Sequence, residues 1–272
     1  MSDTPSLDLT IMIPSYLEAV SLRDLIPRVK AAAAALTPNY ELMIVDTREP
    51  MDDTADVCAL NQVRYVQRRG GNLYGDAIRT GIAEAHGRYL LCMDADGSHN
   101  PSYFRSMWEK REAWDIVIGS RYAAGGHTEN PAVLIWMSYV VNLTFRLAFH
   151  ISAKDVTNSL RLYRTAILKP LRLESNAFDI LEEILIRCVT HRPPATVGEV
   201  PVTFERRKAG ESKRKLVQFA FGYLSTLQKL RKFQKDALRE NRIMSLRTLT
   251  RCMDRLPNLP EASRYSSQTH AL

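Results

Sequence analysis

The sequence predicts an α/β fold in three layers: a mostly parallel central sheet with helices on both faces, followed by amphipathic C-terminal helices. Three observations lead there. Over the first two hundred residues, short apolar runs alternate with helix-periodic segments, which is the pattern of repeated βα units. The runs are apolar at consecutive positions, as in strands buried on both faces. Several of them end in acidic or turn-forming residues, where open parallel sheets place their ligands. At 272 residues the chain fits one large domain with a substantial core, or two small ones.

Strand one is Leu9–Pro14, and a helix follows from about Ser21 to Leu36, with Ser21 as its N-cap and Asp24 three residues on. Glu41–Asp46 is strand two, a short helix covers Thr54–Leu60, and Val63–Gln67 is strand three. The turn Gly70–Gly75 opens a helix that runs to about Ala85. The next strand begins at Tyr89. Beyond it are a helix at Pro101–Glu112, a strand at Asp115–Ile118 and the very apolar run Ala132–Phe149. That run has nearly the length of a membrane span, but Asn142, Thr144 and Arg146 interrupt it, so a buried or membrane-surface helix is expected. Asp155–Arg164 resumes strand-like structure, Glu182–Cys188 lies in a helix, and Val197–Phe204 reads as a last strand.

After Gly210 the chain turns basic. Leu216, Phe219, Ala220, Tyr223, Leu227, Leu230 and Phe233 recur near helical spacing, with Lys229, Arg231, Lys232 and Lys235 between them. Such a helix docks on the domain or lies on anionic lipid. The expected organisation is a catalytic domain over 1–210, a basic helical segment over 211–255 and a disordered tail over 256–272.

The stretch Tyr89–Pro101 concentrates the chemistry. An apolar run leads into Asp94 and Asp96, and side chains two apart on a strand share one face. Two convergent carboxylates at a strand's carboxyl end seat a hard divalent cation. The plainer alternative makes Asp94, Asp96, Ser98 and Asn100 ordinary turn residues, with Asn100 capping a helix that begins at Pro101.

The formal net charge is +7. Residues 201–272 hold 16 Lys/Arg against 6 Asp/Glu, which is +10, and the first two hundred hold 21 against 24, which is −3. The basic character therefore belongs to the C-terminal quarter and suits an anionic surface; no nucleic-acid motif is present, so no nucleic-acid partner is expected. Cys58, Cys92, Cys188 and Cys252 have no paired-ligand spacing, which argues against a zinc site or disulfide framework and suits a reducing cytoplasm. The polar stretch Met1–Asp8 does not read as a signal peptide.

Read at the strand ends, the chain offers Pro14-Ser15-Tyr16-Leu17-Glu18, Asp46, Arg68 to Gly75, and Asp94/Asp96. Gly70-Gly71-Asn72-Leu73-Tyr74-Gly75 has the spacing of neither a P-loop nor a dinucleotide fingerprint. These residues resemble the family-two glycosyltransferases of the GT-A fold, and within them the dolichol-phosphate mannose synthase group, over roughly Thr10 to Lys215. Ile13–Glu18 resembles the family's Ile-Pro-Thr-Tyr-Asn-Glu, and Met93–Pro101 its Met-Asp-Ala-Asp-x-Ser/Gln-His-x-Pro. Asp115–Tyr122 and Asp155–Arg164 are similar to two further motifs, and Gly198–Pro201 and Gly210–Lys213 complete the order.

The resemblance implies an inverting glycosyltransferase that takes a sugar from GDP-mannose or a UDP-sugar to a polyprenyl phosphate. It implies that Pro14, Tyr16, Glu18, Asp46, Gly75, Asp76, Asp94 and Ala95 hold the donor, and that Asp94, Asp96 and Ser98 hold Mg²⁺ or Mn²⁺. Arg121, Arg161, Arg206 and Lys213 then suit the acceptor phosphate, since arginine pairs bidentately with it. A phosphate acceptor needs no strong base. A hydroxyl acceptor would need one, with Glu182 or Glu183 the candidates.

Two motifs depart from the family. Its Asp-Asp-Gly-Ser reads Asp46-Thr47-Arg48-Glu49, and its Asn-x-Gly-x-Gly reads Gly71-Asn72-Leu73-Tyr74-Gly75, both in the donor pocket. Two alternatives stay open: transfer to a soluble small molecule, and a domain that binds nucleotide without turnover. The expected location is the cytoplasm, on the membrane face or with a membrane partner subunit if the acceptor is a lipid, and a homodimer is left open.

Overall fold

The computed structural model describes residues 7–191, 193–206, 223 and 225–239. The chain falls into two compact units, Met1–Gln234 and Lys235–Leu272. Of the second, residues 235–239 are described and are helical. The expectations for Lys213, for most of 211–255 and for the tail 256–272 lie outside the described residues.

In the first unit the elements run β1 (Leu9–Pro14), α1 (Ala19–Ala34), β2 (Tyr40–Asp46), α2 (Thr54–Leu60), β3 (Arg64–Gln67), α3 (Tyr74–Glu84) and β4 (Tyr89–Cys92). Then come a 3-10 turn (Pro101–Tyr103), α4 (Phe104–Glu109), β5 (Ile116–Ser120), β6 (His127–Thr128) and α5 (Ala132–Phe149). The series continues with β7 (Arg161–Arg164), α6 (Thr165–Leu168), α7 (Ile180–Thr190), β8 (Val197–Pro201) and β9 (Thr203–Phe204). Residues 225–234 form a further helix.

Seven strands make one sheet in the order β3-β2-β1-β4-β7-β5-β8. All neighbours are parallel except β7, which runs antiparallel to both β4 and β5. Alternating side chains feed two cores. Leu9, Ile11, Ile13, Leu42, Ile44, Tyr89, Leu91 and Val117 face one side, against Leu22, Leu25, Ile26 and Val29 of α1 and Phe104 and Met107 of α4. Met12, Met43, Val45, Leu90, Cys92, Ile116 and Ile118 face the other, against α3, α7, and Phe145 and Phe149 of α5. Tyr223 and Leu230 join this second core. The predicted three-layer α/β architecture is therefore observed.

Several boundaries differ from expectation. Helix α1 starts at Ala19, so its N-cap is Glu18 and not Ser21, whose hydroxyl instead donates to Glu18 Oε2 (3.0 Å). The helix expected at Pro101–Glu112 is a 3-10 turn followed by six residues of α4. Asn100 does cap that turn, accepting from Ser102 N (3.0 Å). Only Arg161–Arg164 of the strand expected from Asp155 is strand, because residues 155–160 spend their polar groups on the site. Val197–Phe204 divides at Val202: β8 pairs with β5, whereas β9 pairs with β6 in a separate two-stranded sheet.

Candidate active site

The acidic turn leaves β4 at the centre of the sheet and is held from four directions. Gly97 adopts a φ of +78°, the left-handed region that reverses the chain directly after Asp96. Ser98 donates to Asp96 Oδ1 from both its backbone N (3.0 Å) and its Oγ (2.6 Å). Ser159, just before β7, donates to Asp94 Oδ2 (2.7 Å). His99, 1% exposed, accepts from Asp94 N at Nδ1 (3.1 Å). That contact puts the ring proton on Nε2, which donates to Asn158 Oδ1 (3.0 Å). Asn158 in turn donates to the Gly119 carbonyl at the end of β5. Asp94 and Asp96 are half-buried, and Ala95 between them is buried.

Among the described residues there is no group of three or more His, Cys, Asp or Glu able to hold a metal. Two carboxylates nonetheless fit Mg²⁺ or Mn²⁺. Such hard ions are commonly bound by one or two protein carboxylates, with substrate phosphates and water completing the shell. Ser98 is fully buried and its hydroxyl is spent on Asp96. It orients that carboxylate.

Arg121 follows β5 directly. Its Nε and Nη2 donate to the two oxygens of Asp155 (2.7 Å each), its backbone N donates to Asp155 Oδ2 (2.9 Å), and Nη2 also reaches Thr157 Oγ1 (2.6 Å). Burial opposes charge on Asp155, yet the adjacent Arg121 guanidinium and its hydrogen bonds hold the carboxyl below the usual carboxylate range. Arg121 remains 9% exposed, and its Nη1 has no hydrogen-bond partner among the described residues. Among the described residues Nη1 is thus the guanidinium nitrogen left over. Arg206 is exposed and its backbone N donates to Glu129 Oε2 (2.8 Å); its neighbour Glu205 contacts the acidic turn. Glu205 N donates to Ser98 O (2.9 Å), and Asn100 donates to Glu205 Oε1 (2.9 Å).

Arg161 does not belong to this surface, which corrects the expectation that it faces the acceptor. It is fully buried and donates to the carbonyls of Asn158 (2.7 Å), Leu181 (2.7 Å) and Val156 (2.6 Å). As the first residue of β7 it is registered with Cys92 and Ile118, whose side chains face the α7 core. It ties the 155–159 loop to α7 from beneath. The two candidate bases are also withdrawn from the surface. Glu182 is fully buried, and burial pushes its carboxyl up to about 8. Glu183 accepts from Glu174 N, Ser175 N and Arg187 Nε, which anchors the loop before α7.

At the β1–β3 ends, Pro14 is buried and Tyr16 and Glu18 are half-buried at the rim. Asp46 is 1% exposed: Oδ2 accepts from Tyr65 OH (3.1 Å), whereas Oδ1 is buried with no side-chain partner among the described residues. Burial, the largest influence, leaves this carboxyl above its ordinary range. Arg68 lies beneath the Tyr16 ring (5.9 Å) and donates to the carbonyls of Ser15 and Asn72. The unusual Thr47-Arg48-Glu49 loop closes on itself and on the next turn: Thr47 Oγ1 donates to Glu49 O (2.6 Å) and Arg48 N to Asn72 Oδ1 (2.7 Å). Asp76 is committed to its own helix, accepting from Leu73 N (3.0 Å) and Arg79 Nη2 (2.8 Å). Gly75 packs so closely that a Cβ there would lie 2.3 Å from the Ser175 carbonyl.

The structure thus brings Asp94, Ala95, Asp96 and Ser98 into one turn, with Arg121 tied to it through the 155–159 loop and Arg206 next to Glu205, which contacts Ser98. Pro14, Tyr16, Glu18 and Asp46 stand at the neighbouring strand ends, Gly75 and Asp76 are occupied by packing and capping, and Lys213 is outside the described residues. His99, Asp155, Asn158 and Ser159 were not singled out from the sequence. Their signal was present in the Met93–Pro101 and Asp155–Arg164 motifs, but nothing in either spelling says that the two interlock.

This sheet, with its acidic turn at the end of the central strand, defines a glycosyltransferase of the GT-A fold. The glycosyl transferase family 2 profile matches residues 10–172, and the chain belongs to that family. It is 31% identical over 234 residues to a dolichol-phosphate mannosyltransferase of Pyrococcus furiosus, covering 84% of this chain and 64% of that relative. The protein of the same name from Saccharomyces cerevisiae is 28% identical, covering 85% and 90%. An undecaprenyl-phosphate mannosyltransferase of Micrococcus luteus is 32% identical, covering 74% and 85%. Among solved structures, glucosyl-3-phosphoglycerate synthase from Mycobacterium tuberculosis, in complex with Mn²⁺, UDP and phosphoglyceric acid, shares the fold. Its TM-score is 0.64 at 14% identity, covering 83% of this chain and 78% of that one.

Proposed function

We propose that this chain transfers a sugar from a nucleotide-diphosphate sugar to a polyprenyl phosphate, with inversion at the anomeric carbon and with Mg²⁺ or Mn²⁺ bound. The observation that carries the reading is the pinned Asp94–Asp96 pair, joined through the 155–159 loop to a clamped arginine whose Nη1 is unspent among the described residues. The relatives' names, dolichol- and undecaprenyl-phosphate mannosyltransferase, support a lipid phosphate as the acceptor.

Asp94 and Asp96 would hold the cation, which when bound offsets the negative charge that grows on the departing nucleoside diphosphate. Tyr16 and Glu18 would line the nucleoside rim, with Asp46 buried behind them at the end of β2. Arg121 Nη1 and Arg206 orient the acceptor phosphate, and the rigid Asp155 fork fixes where Nη1 points. A phosphate oxygen is already anionic at neutral pH, so it attacks without a general base. The depth of Glu182 and the full engagement of Glu183 agree with that.

Asp96→Asn keeps the acceptor for Ser98 and removes the charge. Transfer of radiolabelled sugar from GDP-mannose and UDP-sugars to an isoprenyl phosphate should fall by roughly two orders of magnitude or more, given the several kcal/mol such a charge supplies. Unchanged turnover in the variant would sink the mechanism. Turnover by the wild type on soluble hydroxyl compounds alone would replace the acceptor.

A further inference from the structure

The Gly198–Pro201 motif lies in β8, outside the site described above, yet one of its side chains reaches that site from behind. Strand alternation decides which. Val200 faces the α1 core, whereas Glu199 is registered with Ile118 of β5, which faces the α7 core. On that side Glu199 meets the loop that precedes β7. Its Oε1 accepts from two successive backbone groups there, Lys154 N (2.9 Å) and Asp155 N (3.0 Å). Asn142 Oδ1 of α5 takes the next one, Val156 N (2.6 Å). The loop has no helix or strand at these residues, so side-chain oxygens from β8 and α5 set its path.

We propose that Glu199 is a positioning residue for Arg121, acting through Asp155. Its bearing on an acceptor phosphate rests on the function proposed above; the positioning of the guanidinium does not. Asp155 is fully buried and spends both oxygens on Arg121, and Thr157 Oγ1 accepts from Nη2. The rings of Tyr122 and Phe204 (5.3 and 5.6 Å from the guanidinium carbon) bound the group without directing its N–H bonds. Both acceptors that direct it therefore belong to the loop that Glu199 fixes. Hydrogen bonds to a carboxylate are of the stronger kind, and two on one oxygen hold the Asp155 backbone in place. Among the described residues, the side-chain hydrogen bonds of Glu199 go to those two amides and not to Arg121 itself.

The metal side of the site is held separately. Ser159, which donates to Asp94, lies beyond Asn158, and Asn158 is anchored on the Gly119 carbonyl and on His99. Loss of Glu199 thus loosens the arginine and leaves the acidic turn in place.

The test reads Arg121 directly, by nitrogen-15 NMR of the full chain. Its Nε–H signal, recognised by its loss in Arg121→Lys, should exchange slowly with solvent in the wild type. Glu199→Ala and Glu199→Leu remove the oxygen without and with side-chain bulk, so that one folded variant suffices. Each should speed the exchange roughly tenfold or more, since two hydrogen bonds to a charged acceptor are lost. Glu199→Gln, which keeps an oxygen at that place, should restore slow exchange. In transfer assays with an isoprenyl phosphate, Glu199→Ala or Glu199→Leu should raise the acceptor KM about fivefold or more, because misplaced positioning groups are costly. The donor KM and Mn²⁺ affinity should not change. In an Arg121→Lys background the same substitution should add nothing further, as expected of a residue that acts through Arg121. Unchanged exchange, no recovery with glutamine, or additive costs in the double variant would overturn the proposal. Altered exchange in a protein whose wild type transfers to no phosphate would leave the positioning standing and remove the proposed acceptor.

Discussion

Glu182→Gln is the perturbation that most sharply separates two physical accounts of the second core. Glu182 is fully buried, Oε1 accepts from Tyr223 OH (3.4 Å) and Oε2 has no partner among the described residues. Desolvation is the largest influence on it and raises its carboxyl to about 8, against an opposing pull from the Arg161 guanidinium; Asp179 adds to the rise. A carboxyl that is neutral in the fold and ionised in the unfolded chain is a liability as pH rises. Stability is fully present below the unfolded value near 4.5 and is lost progressively as pH climbs to about 8. At 1.36 kcal/mol per tenfold change in proton affinity, the interval from 4.5 to 7 corresponds to about 3 kcal/mol, an upper figure for a site that can relax. Glutamine stays neutral throughout. The variant should therefore gain on the wild type between pH 5 and 8, by up to about 3 kcal/mol at pH 7, and the difference should level off above 8. Urea denaturation midpoints at half-unit pH steps read this directly. A variant destabilised by a constant amount above pH 5 would refute the reasoning. Glu182 would then be ionised, serving as the counter-charge of buried Arg161.

Two further substitutions probe the site. Arg121→Lys keeps the charge but cannot span both Asp155 oxygens and present a free donor. The acceptor KM should rise about tenfold or more, the equivalent of about 1.4 kcal/mol, with the donor KM unchanged; equal changes in both would contradict the assignment. His99→Phe preserves the edge contact with Phe204 (5.3 Å) but removes the bonds to Asp94 N and Asn158. Groups that hold metal ligands in place typically contribute 10- to 100-fold, so Mn²⁺ affinity measured by calorimetry should weaken by about that factor, and unchanged affinity would assign His99 to packing alone.

The sheet was legible because its strands advertise themselves. Ile11, Met12 and Ile13, or Leu90, Leu91 and Cys92, are apolar on both faces, which only a covered sheet tolerates. Asp94 and Asp96 were legible as a pair because they follow such a strand without interruption. What the sequence withheld is whatever depends on residues far apart in the chain. Nothing local tells that His99 reaches Asn158, that Ser159 finds Asp94, or that Glu205 returns to Ser98. The orientation of α5 was hidden for a related reason. A run apolar on nearly every side has little periodicity to read, so which face docks is decided by Asn142 finding the Val156 amide.

The contrast between Arg121 and Arg161 shows how far such a pattern can be pushed. Both follow motifs that resemble the same family, and arginine chemistry alone assigns both to a phosphate. Their surroundings divide them. Arg121 lies one residue beyond β5, past the last strand pairing, where its guanidinium turns back on Asp155 with one nitrogen left over among the described residues. Arg161 opens β7, paired between Cys92 and Ile118, and strand alternation sends its side chain into the core that those two residues line. A guanidinium placed there must satisfy its donors internally, and the carbonyls of Val156, Asn158 and Leu181 do so. The two arginines thus act on one loop from opposite sides. Arg161 holds Val156 and Asn158 from below, the adjoining Asp155 and Thr157 clamp Arg121 above, and Ser159 directly after them holds Asp94. A buried arginine that touches no ligand thereby positions both the proposed acceptor-binding group and one of the proposed metal carboxylates.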